Sequence, residues 1–317
     1  MKKILAIVLS LSMILALAAC GGSKAGFTVD KVNVTYVTSP LNVPSIIEKN
    51  QASLQAVYKD MGLEFGYSDL TSGADQTAAL ASGDIQILNA VGGSSVLLAA
   101  ANGADIAIIS MYSRAPGAFC MFANDTSLDS PESLKGKTIA GPKGTNLHEL
   151  LVAYLATAGM KIEDVNYVSM DIPSAAAALE AGSIDCALLG GAAAYNAQKA
   201  GKYMVCNGEG LIAATICTAT SRDFYEKNPD IIHAFIDNQE KILKYMEENE
   251  AEALQITADT IDMALEDVQA MYPLYNFSME MSQEDIKLLQ STEEFLYGSG
   301  MIENRVDVND LILELKK

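Results

Sequence analysis

Short stretches of alternating apolar residues and longer stretches of helical periodicity follow one another from residue 31 onward. Val32, Val34 and Tyr36 alternate as one face of a strand does, and Pro44 opens a helical run that Gly62 closes. The other strands predicted in this first part cover residues 63–67, 85–90 and 106–111, with helices between them. Strands separated by helices predict parallel β–α–β units and therefore an α/β fold.

The same succession begins again after Pro116 and Gly117, with strands predicted at residues 138–140, 167–170 and 184–189. Residues 79–85 (ALASGDI) and 178–184 (ALEAGSI) keep Ala-Leu, Gly and Ile in register, and a double glycine follows the next strand in both copies. This internal similarity predicts two similar lobes. A chance likeness remains the alternative, because glycine is common after helices.

Beyond Ser221 the pattern contains acidic amphipathic helices and no further strand-rich part. We therefore expect this segment to pack back on the first lobe, so that the chain crosses between the lobes twice, near residues 113–118 and 212–218. The predicted division assigns residues 31–115 and 218–317 to lobe I and residues 116–217 to lobe II.

The N-terminus has the pattern of a secretory signal. Two lysines precede an apolar run over residues 4–17, which is shorter than the about 20 residues of a membrane-spanning helix. Small residues before Cys20 resemble the lipobox of bacterial lipoproteins; an ordinary cleavage site with an incidental cysteine is the alternative. We therefore predict a signal peptide at residues 1–19 and a lipidated Cys20 with a flexible tether over residues 20–30. The protein is then extracytoplasmic and lipid-anchored to a bacterial cell membrane, at the cell surface or in the periplasm.

Composition and failed motifs exclude several classes of function. With 21 Lys and Arg against 40 Asp and Glu, the net charge of −19 argues against a nucleic-acid partner. The two histidines, His148 and His233, lie too far apart in sequence to predict a metal site. Val152, Pro131 and Val96 interrupt the zinc-protease, phosphate-loop and nucleophile-elbow patterns, respectively. We expect no catalytic residues, no metal and no cofactor.

One sequence pattern recurs instead: a strand that ends in small residues and leads into the start of a helix. Free N–H groups and the helix dipole attract anions there, and such loops line the ligand crevice of open α/β sheets. The loops with this pattern are Thr38-Ser39, Ser72-Gly73, residues 92–95, residues 144–146 and Gly190-Gly191. Their distribution over both lobes predicts a cleft that closes on a small ligand.

Single residues leave the ligand class open. Arg114 could bind an anionic ligand through its fork of donors, or form a salt bridge at the hinge. His148 could donate to a ligand or cover its own helical turn. Tyr112 and Tyr195 could stack on a flat ligand, although buried tyrosines with a bonded hydroxyl are more common.

Four further cysteines follow Cys20. Cys120 and Cys217 fall on the predicted crossing segments, and Cys186 and Cys206 fall on consecutive strands of lobe II. Either pair could form a disulfide in an extracytoplasmic protein, and buried free thiols are the default for a core of this size.

Two consecutive segments carry a resemblance to a known family. Residues 134–140 (LKGKTIA) followed by residues 144–148 (GTNLH) resemble ABC-importer solute-binding proteins of the nitrate, sulfonate, taurine and thiamine-pyrimidine group, and residues 158–165 and 177–187 continue that pattern. The resemblance implies a two-lobed type II periplasmic-binding-protein fold, each lobe a sheet flanked by helices. It also implies a monomer that captures a small solute and delivers it to a membrane permease driven by a cytoplasmic ATPase.

The resemblance also implies where the ligand binds. The family's ligand loops correspond in position to Thr38-Ser39, Gly92-Gly93-Ser94, Thr145-Asn146 with His148, and Gly190-Gly191. Many relatives carry an aromatic-acidic-proline turn where this chain has Gly190-Gly191-Ala192, so the identity of the solute is not carried over.

These observations lead to one expected function and its alternatives. We expect a binding lipoprotein for a small anionic or zwitterionic organic solute of the sulfonate, taurine or nitrate kind. A binder of a flat heteroaromatic such as the thiamine pyrimidine precursor is one alternative, and a sensor subunit without its own transporter is another. A secreted enzyme of the lyase or dehydratase kind is the alternative from another class, with His148 as its visible general acid or base.

Overall fold

The computed structural model describes residues 26–39 and 41–315. The predicted signal peptide, Cys20 and the first part of the tether lie outside the described residues. In the part of the chain that is described, no helix combines the length and the apolar character needed to cross a membrane.

The first sheet is built from strands of both ends of the chain. Its strands are β1 (Lys31–Thr35), β2 (Glu64–Ser68), β3 (Leu88–Gly92), β4 (Ala107–Arg114) and β10 (Thr215–Thr220). β1 and β2 pair in parallel, β10 pairs antiparallel with both β3 and β4, and a parallel bridge from Val34 to Ile87 joins the two groups. The strand order across this layer is therefore β2-β1-β3-β10-β4.

The second sheet lies entirely in the middle of the chain. Its strands are β5 (Phe119–Ala123), β6 (Thr138–Gly141), β7 (Asn166–Ser169), β8 (Cys186–Gly190) and β9 (Tyr203–Asn207), in the order β7-β6-β8-β5-β9. β6 is parallel to β7 and β8, whereas β5 is antiparallel to β8 and β9. Two sheets flanked by helices confirm the predicted α/β fold class.

Helices cover both sheets. Those of the first half are α1 (Val43–Gln51), α2 (Ser53–Asp60), α3 (Gly73–Ser82) and α4 (Gly93–Ala101), and those beside the second sheet are α5 (Asn146–Ala156), α6 (Ile172–Glu180) and α7 (Ala192–Lys199). The C-terminal part adds α8 (Arg222–Lys227), α9 (Pro229–Glu248), α10 (Glu250–Ile261), α11 (Leu265–Met271), α12 (Gln283–Gly298) and α13 (Val308–Leu311).

The predicted single helix between Pro44 and Gly62 is wrong, because the chain forms α1 and α2 with a break at Ala52. Ala52 adopts a left-handed conformation with φ of 51°. The buried Glu48 carboxylate accepts a hydrogen bond from the Leu54 N–H at 2.9 Å and so satisfies a free donor at the start of α2.

The two similar sequence segments occupy equivalent places in the two lobes. Gly83 ends α3 and Gly182 follows α6, and both have positive φ, of 80° and 67°. At both positions the glycine conformation lets the chain turn sharply from a helix into the following strand. Each of those strands then leads to a double glycine at a helix start, as the sequence pattern predicts.

The C-terminal helices connect the two lobes more than the sequence predicts. α9 and α10 pack on α1, and α12 packs on α4, so most of the segment does lie on the first sheet. α11 instead lies against α7 of the second sheet, where Lys199 and Asp267 form an ion pair at 2.7 Å.

Two short segments cross between the sheets side by side, residues 115–118 and 208–214, and the Ala115 N–H donates to the Ala214 carbonyl at 3.5 Å. β10 thus begins at Thr215, slightly before residue 217, the predicted end of lobe II. The division of the chain into lobes stays a prediction.

Neither candidate cysteine pair is bonded: Cys120, Cys186, Cys206 and Cys217 are free. Burial raises the pKa of each thiol to about 12, which leaves them unreactive.

Candidate functional site

A cavity of about 70 Å³ lies between the two sheets, at the strand ends and helix starts that the sequence pattern singles out. The first sheet and its helices contribute Val37, Ser39, Thr71, Gly73, Gln76, Ala90, Gly92, Ser95 and Ile216. The second contributes Phe119, Pro142, Thr145, Asn146, Leu147 and Ile172. Among the described residues that line this inter-lobe cleft, none carries a charged side chain.

Three helices begin at the wall of the cleft. α3 begins at Gly73, α4 begins directly after Gly92, and α5 begins directly after Thr145. The N–H groups in the first turn of a helix have no carbonyl partner within it, and the dipole gives that end a partial positive charge. Because the three helix starts come from both lobes, the cleft can hold an anion by neutral donors alone.

Glycine at the start of α3 permits this close approach. A Cβ at Gly73 would lie 2.1 Å from Ser95 Oγ and 3.2 Å from the carbonyl oxygen of Gly144. Any larger side chain there would separate α3 from α4 and from the loop of the second lobe.

Hydrogen bonds join the two lobes beside the cleft. Ser94 Oγ donates to Asn146 Oδ1 at 2.8 Å, and Ser95 Oγ donates to the Gly144 carbonyl at 2.5 Å. Asn146 Nδ2 donates to the carbonyl of Thr215 in β10 at 3.3 Å. We call these five residues the inter-lobe clasp. The clasp thus bonds helix and strand residues of the first sheet to the start of α5 and its preceding loop in the second.

A buried carboxyl group supports the clasp from behind. Glu149 in α5 hydrogen-bonds with the hydroxyls of Ser94 and Thr292, and burial raises its pKa to about 7. Ser94 has one hydroxyl proton, which Asn146 Oδ1 already receives. Ser94 therefore links the buried Glu149 carboxyl to Asn146 of the clasp.

Several predicted ligand residues do line the cleft, namely Ser39, Gly92, Thr145 and Asn146. Others lie just behind its wall: the Thr38 carbonyl accepts from the Asn42 N–H, Gly93 lies against Thr215 and Leu289, and Ser94 belongs to the clasp. Sequence reasoning missed the other lining residues, namely Val37, Thr71, Gln76, Ala90, Phe119, Pro142, Leu147, Ile172 and Ile216. Thr71 and Gln76 flank the Ser72-Gly73 loop, so the polar residues around that helix start were the available signal.

His148 has a structural place beside the cleft and does not line it. Its ring stacks on Tyr167 with 4.7 Å between centroids, and Nδ1 accepts a hydrogen bond from the Gly144 N–H at 3.4 Å. Burial, together with the nearby Lys143, lowers the pKa of His148 to about 4, so the ring is neutral. His148 thus holds the loop that carries Gly144.

Arg114 does not line the cleft either. Its Nε and Nη2 donate to the Asp285 carboxylate at 2.6 and 2.7 Å. Its Nη1 and Nη2 also donate to the carbonyls of Ser278 and Glu280. Burial alone would raise the pKa of Asp285, but the hydrogen bonds from Arg114 and Ser282 hold it at about 2. Of the two roles considered for Arg114, the contacts are those of the salt bridge.

Gly190 and Gly191 do not line the cleft, although Gly190 pairs with Phe119, which does. Gly191 has φ of 55°, donates to the Ala118 carbonyl at 3.1 Å, and lines a separate small cavity with Tyr195 and Tyr275. Tyr112 is buried with its hydroxyl 2.9 Å from Ser45 Oγ. Neither Tyr112 nor Tyr195 reaches the cleft to stack on a ligand.

Within residues 26–39 and 41–315, no group of three or more His, Cys, Asp or Glu is arranged to hold a metal ion.

Known proteins are similar to this chain in sequence. The family model described as NMT1/THI5 like matches residues 52–253. The taurine-binding periplasmic protein of Escherichia coli K12 is 29% identical over 212 residues, which are 66% of this chain and 65% of that protein, slightly under two thirds of its length. A putative aliphatic sulfonates-binding protein of Bacillus subtilis 168 is 25% identical over 98% of this chain and 95% of its own length.

Solved structures share the fold. The alkanesulfonate-binding protein SsuA from Xanthomonas axonopodis pv. citri, bound to MOPS, superposes with a TM-score of 0.80 at 21% identity, over 90% of this chain and 98% of that one. SsuA from Escherichia coli gives a TM-score of 0.75 at 19% identity, over 92% of this chain and 94% of its own. The chain has the periplasmic-binding-protein fold and belongs to the NMT1/THI5-like family.

Proposed function

We propose that the protein is the solute-binding component of an ABC importer and that it captures a small organic sulfonate in the inter-lobe cleft. The observation that carries the proposal is the convergence of three helix starts, from both lobes, on a cleft whose lining is uncharged. The relatives are named as a taurine-binding and a putative aliphatic sulfonates-binding protein, which agrees with this chemistry.

The lining suits both parts of such a ligand. A sulfonate presents three oxygen acceptors, which free N–H groups at helix starts can satisfy without an arginine or lysine. The apolar side chains of Val37, Leu147 and Ile216 can pack against a short alkyl chain. Because the closed cavity is small, we expect a compact ligand. Phe119 supplies the aromatic ring of the lining, which gives a flat heteroaromatic a single stacking surface and favours the sulfonate.

Binding without chemistry fits the cleft better than catalysis. His148, the candidate general acid or base, lies behind the wall, and its low pKa keeps the ring neutral. None of the described residues that line the cavity has a side chain that titrates near neutral pH.

Delivery follows from closure of the lobes. A ligand that contacts both lobes favours the closed population, and the closed form presents a different surface to a permease than the open form does. In this proposal Cys20 carries the lipid that holds the protein at the extracytoplasmic face of the membrane, within reach of that permease. The small-residue pattern before Cys20 supports this anchor.

Calorimetric titration with ethanesulfonate, taurine, nitrate and the thiamine pyrimidine precursor tests the proposal. We expect at least one sulfonate to bind at a single site, and at 100 times its Kd to stabilise the fold by about 2.7 kcal/mol. Absence of binding by both sulfonates would overturn the proposal, as would their chemical conversion during incubation.

The Arg114→Met variant should lose stability without losing affinity. It removes a charge-assisted, largely buried ion pair with Asp285, so we expect the free energy of unfolding at pH 7 to fall by about 2 kcal/mol. Denaturant titration measures the loss, and calorimetry should give an unchanged Kd for the sulfonate that binds. Normal stability together with lost affinity would instead make Arg114 a ligand residue.

A further inference from the structure

Gln76 carries an unsatisfied hydrogen-bond acceptor at the cleft. The residue lies in the first turn of α3, lines the cavity, and has 3% of its surface exposed. Its Oε1 atom is buried and has no hydrogen-bond partner in the described structure. A buried polar atom without a partner is costly, so a ligand that supplies the partner gains affinity.

The orientation of the Gln76 amide is fixed by its other end. Nε2 donates to the Leu70 carbonyl at 2.8 Å, and a carbonyl oxygen can only accept. Turning the amide over would place two acceptors against each other. Oε1 is therefore the amide atom without a partner, and a partner supplied from the cleft must be an N–H or O–H donor.

The charge of the surroundings selects the kind of donor. The described residues that line the cleft include no carboxylate that could pair with an ammonium group. Gln76 also sits in the first turn of α3, where the helix dipole disfavours a cation. Burying an ammonium group beside neutral acceptors alone is unfavourable, whereas a hydroxyl needs one acceptor and carries no charge.

We propose that the preferred ligand carries an uncharged hydroxyl besides its sulfonate and that Gln76 Oε1 accepts the hydrogen bond from this hydroxyl. The substrate class is then a short hydroxyalkanesulfonate. This inference rests on the proposed function, because the helix starts must hold the sulfonate for Gln76 to meet the other end. Gln76 thereby determines specificity among sulfonates of equal length.

Calorimetric titration with three sulfonates of matched length tests the assignment: 2-hydroxyethanesulfonate, ethanesulfonate and taurine. We expect the wild-type protein to bind the hydroxyl compound about tenfold more tightly than ethanesulfonate, because only the former satisfies Oε1. Taurine should bind more weakly than the hydroxyl compound. In Gln76→Met the hydroxyl and plain compounds should bind within about twofold of each other, since the acceptor is gone.

A second buried glutamine provides the matched control. Gln239 in α9 also has an unpartnered amide atom, Nε2, but lines a separate small cavity beside Ser110 and Leu243. Gln239→Met should keep the wild-type ratio between the hydroxyl and plain compounds. Thermal unfolding without ligand checks that both variants fold. A third variant, Gln76→Glu, places a carboxylate at the same point, so it should bind taurine more tightly relative to the hydroxyl compound than the wild type does.

Each outcome separates this inference from the proposed function. Equal binding of the hydroxyl and plain compounds by the wild type would overturn the role of Gln76 while the sulfonate function stands. The same conclusion follows if Gln76→Met keeps the preference. If the wild type bound taurine most tightly, the claim that the ligand donates from an uncharged hydroxyl would be overturned. Binding of none of the three would overturn the sulfonate function and this inference with it.

Discussion

Replacing Asn146 by leucine should weaken sulfonate binding about 100-fold while the protein remains folded. Asn146 lines the cleft and also bonds across it, accepting from Ser94 and donating to the Thr215 carbonyl. Leucine has a similar volume but provides neither bond, so the closed form loses contacts that the open form does not make. The apparent affinity falls as the closed, binding-competent population falls.

Calorimetry with the sulfonate that the wild type binds measures this change, and Asn124→Leu is its matched control. Asn124 donates to the Leu179 carbonyl at 2.6 Å within the second lobe and does not line the cleft. Its replacement should leave the Kd unchanged. An Asn146→Leu variant with wild-type affinity would show that the clasp does not contribute to ligand capture.

The second large effect concerns the pH dependence of stability through Glu149. Burial raises the pKa of this carboxyl from its ordinary value of 4.5 to about 7 in the folded protein. Between these values the unfolded chain releases a proton that the folded protein keeps, so the free energy of unfolding decreases as pH rises. At about 1.4 kcal/mol per pH unit, the loss by pH 8 is on the order of 3 kcal/mol.

The Glu149→Gln variant removes this titration and keeps a side chain that can bond with Ser94 and Thr292. Relative to the wild type, the variant should be more stable at pH 8 by about 3 kcal/mol and gain nothing at pH 4.5. Denaturant titration at the two pH values measures both differences. A variant whose difference from the wild type is the same at both would contradict a buried, proton-retaining Glu149.

His148 titrates in the opposite sense and explains why the variant must be compared with the wild type at each pH. Its pKa is lowered to about 4 from 6.5, so the stability contributed by the neutral ring is lost as pH falls from 6.5 to 4. This change occurs in both proteins and cancels in their difference.

Local patterns predicted the parts of the fold that local physics determines. The helix starts after Gly92 and Thr145, which form much of the cleft wall, follow from strand-ending small residues and from free N–H groups. The division of α1 from α2 could not be predicted in this way. It depends on a buried Glu48 that caps the next helix, and the burial of a glutamate depends on tertiary packing.

Roles that depend on distant partners were not visible in the sequence. Arg114 and Asp285 are 171 positions apart, so no local pattern could show that the guanidinium is already occupied. Gln76 lies in the helical turn that follows the recognised Ser72-Gly73 loop, but its importance depends on which amide atom bonds with Leu70. The raised pKa of Glu149 depends on burial beside Ser94, which belongs to a helix of the other sheet, so no local pattern could show it.

A co-crystal structure with ethanesulfonate tests the central claim most directly. We predict the sulfonate between the starts of α3, α4 and α5, within hydrogen-bonding distance of backbone N–H groups from both lobes. A sulfonate bound elsewhere, such as in the larger groove lined by Arg222 and His233, would contradict the account. So would crystals grown with ethanesulfonate whose cleft holds no ligand.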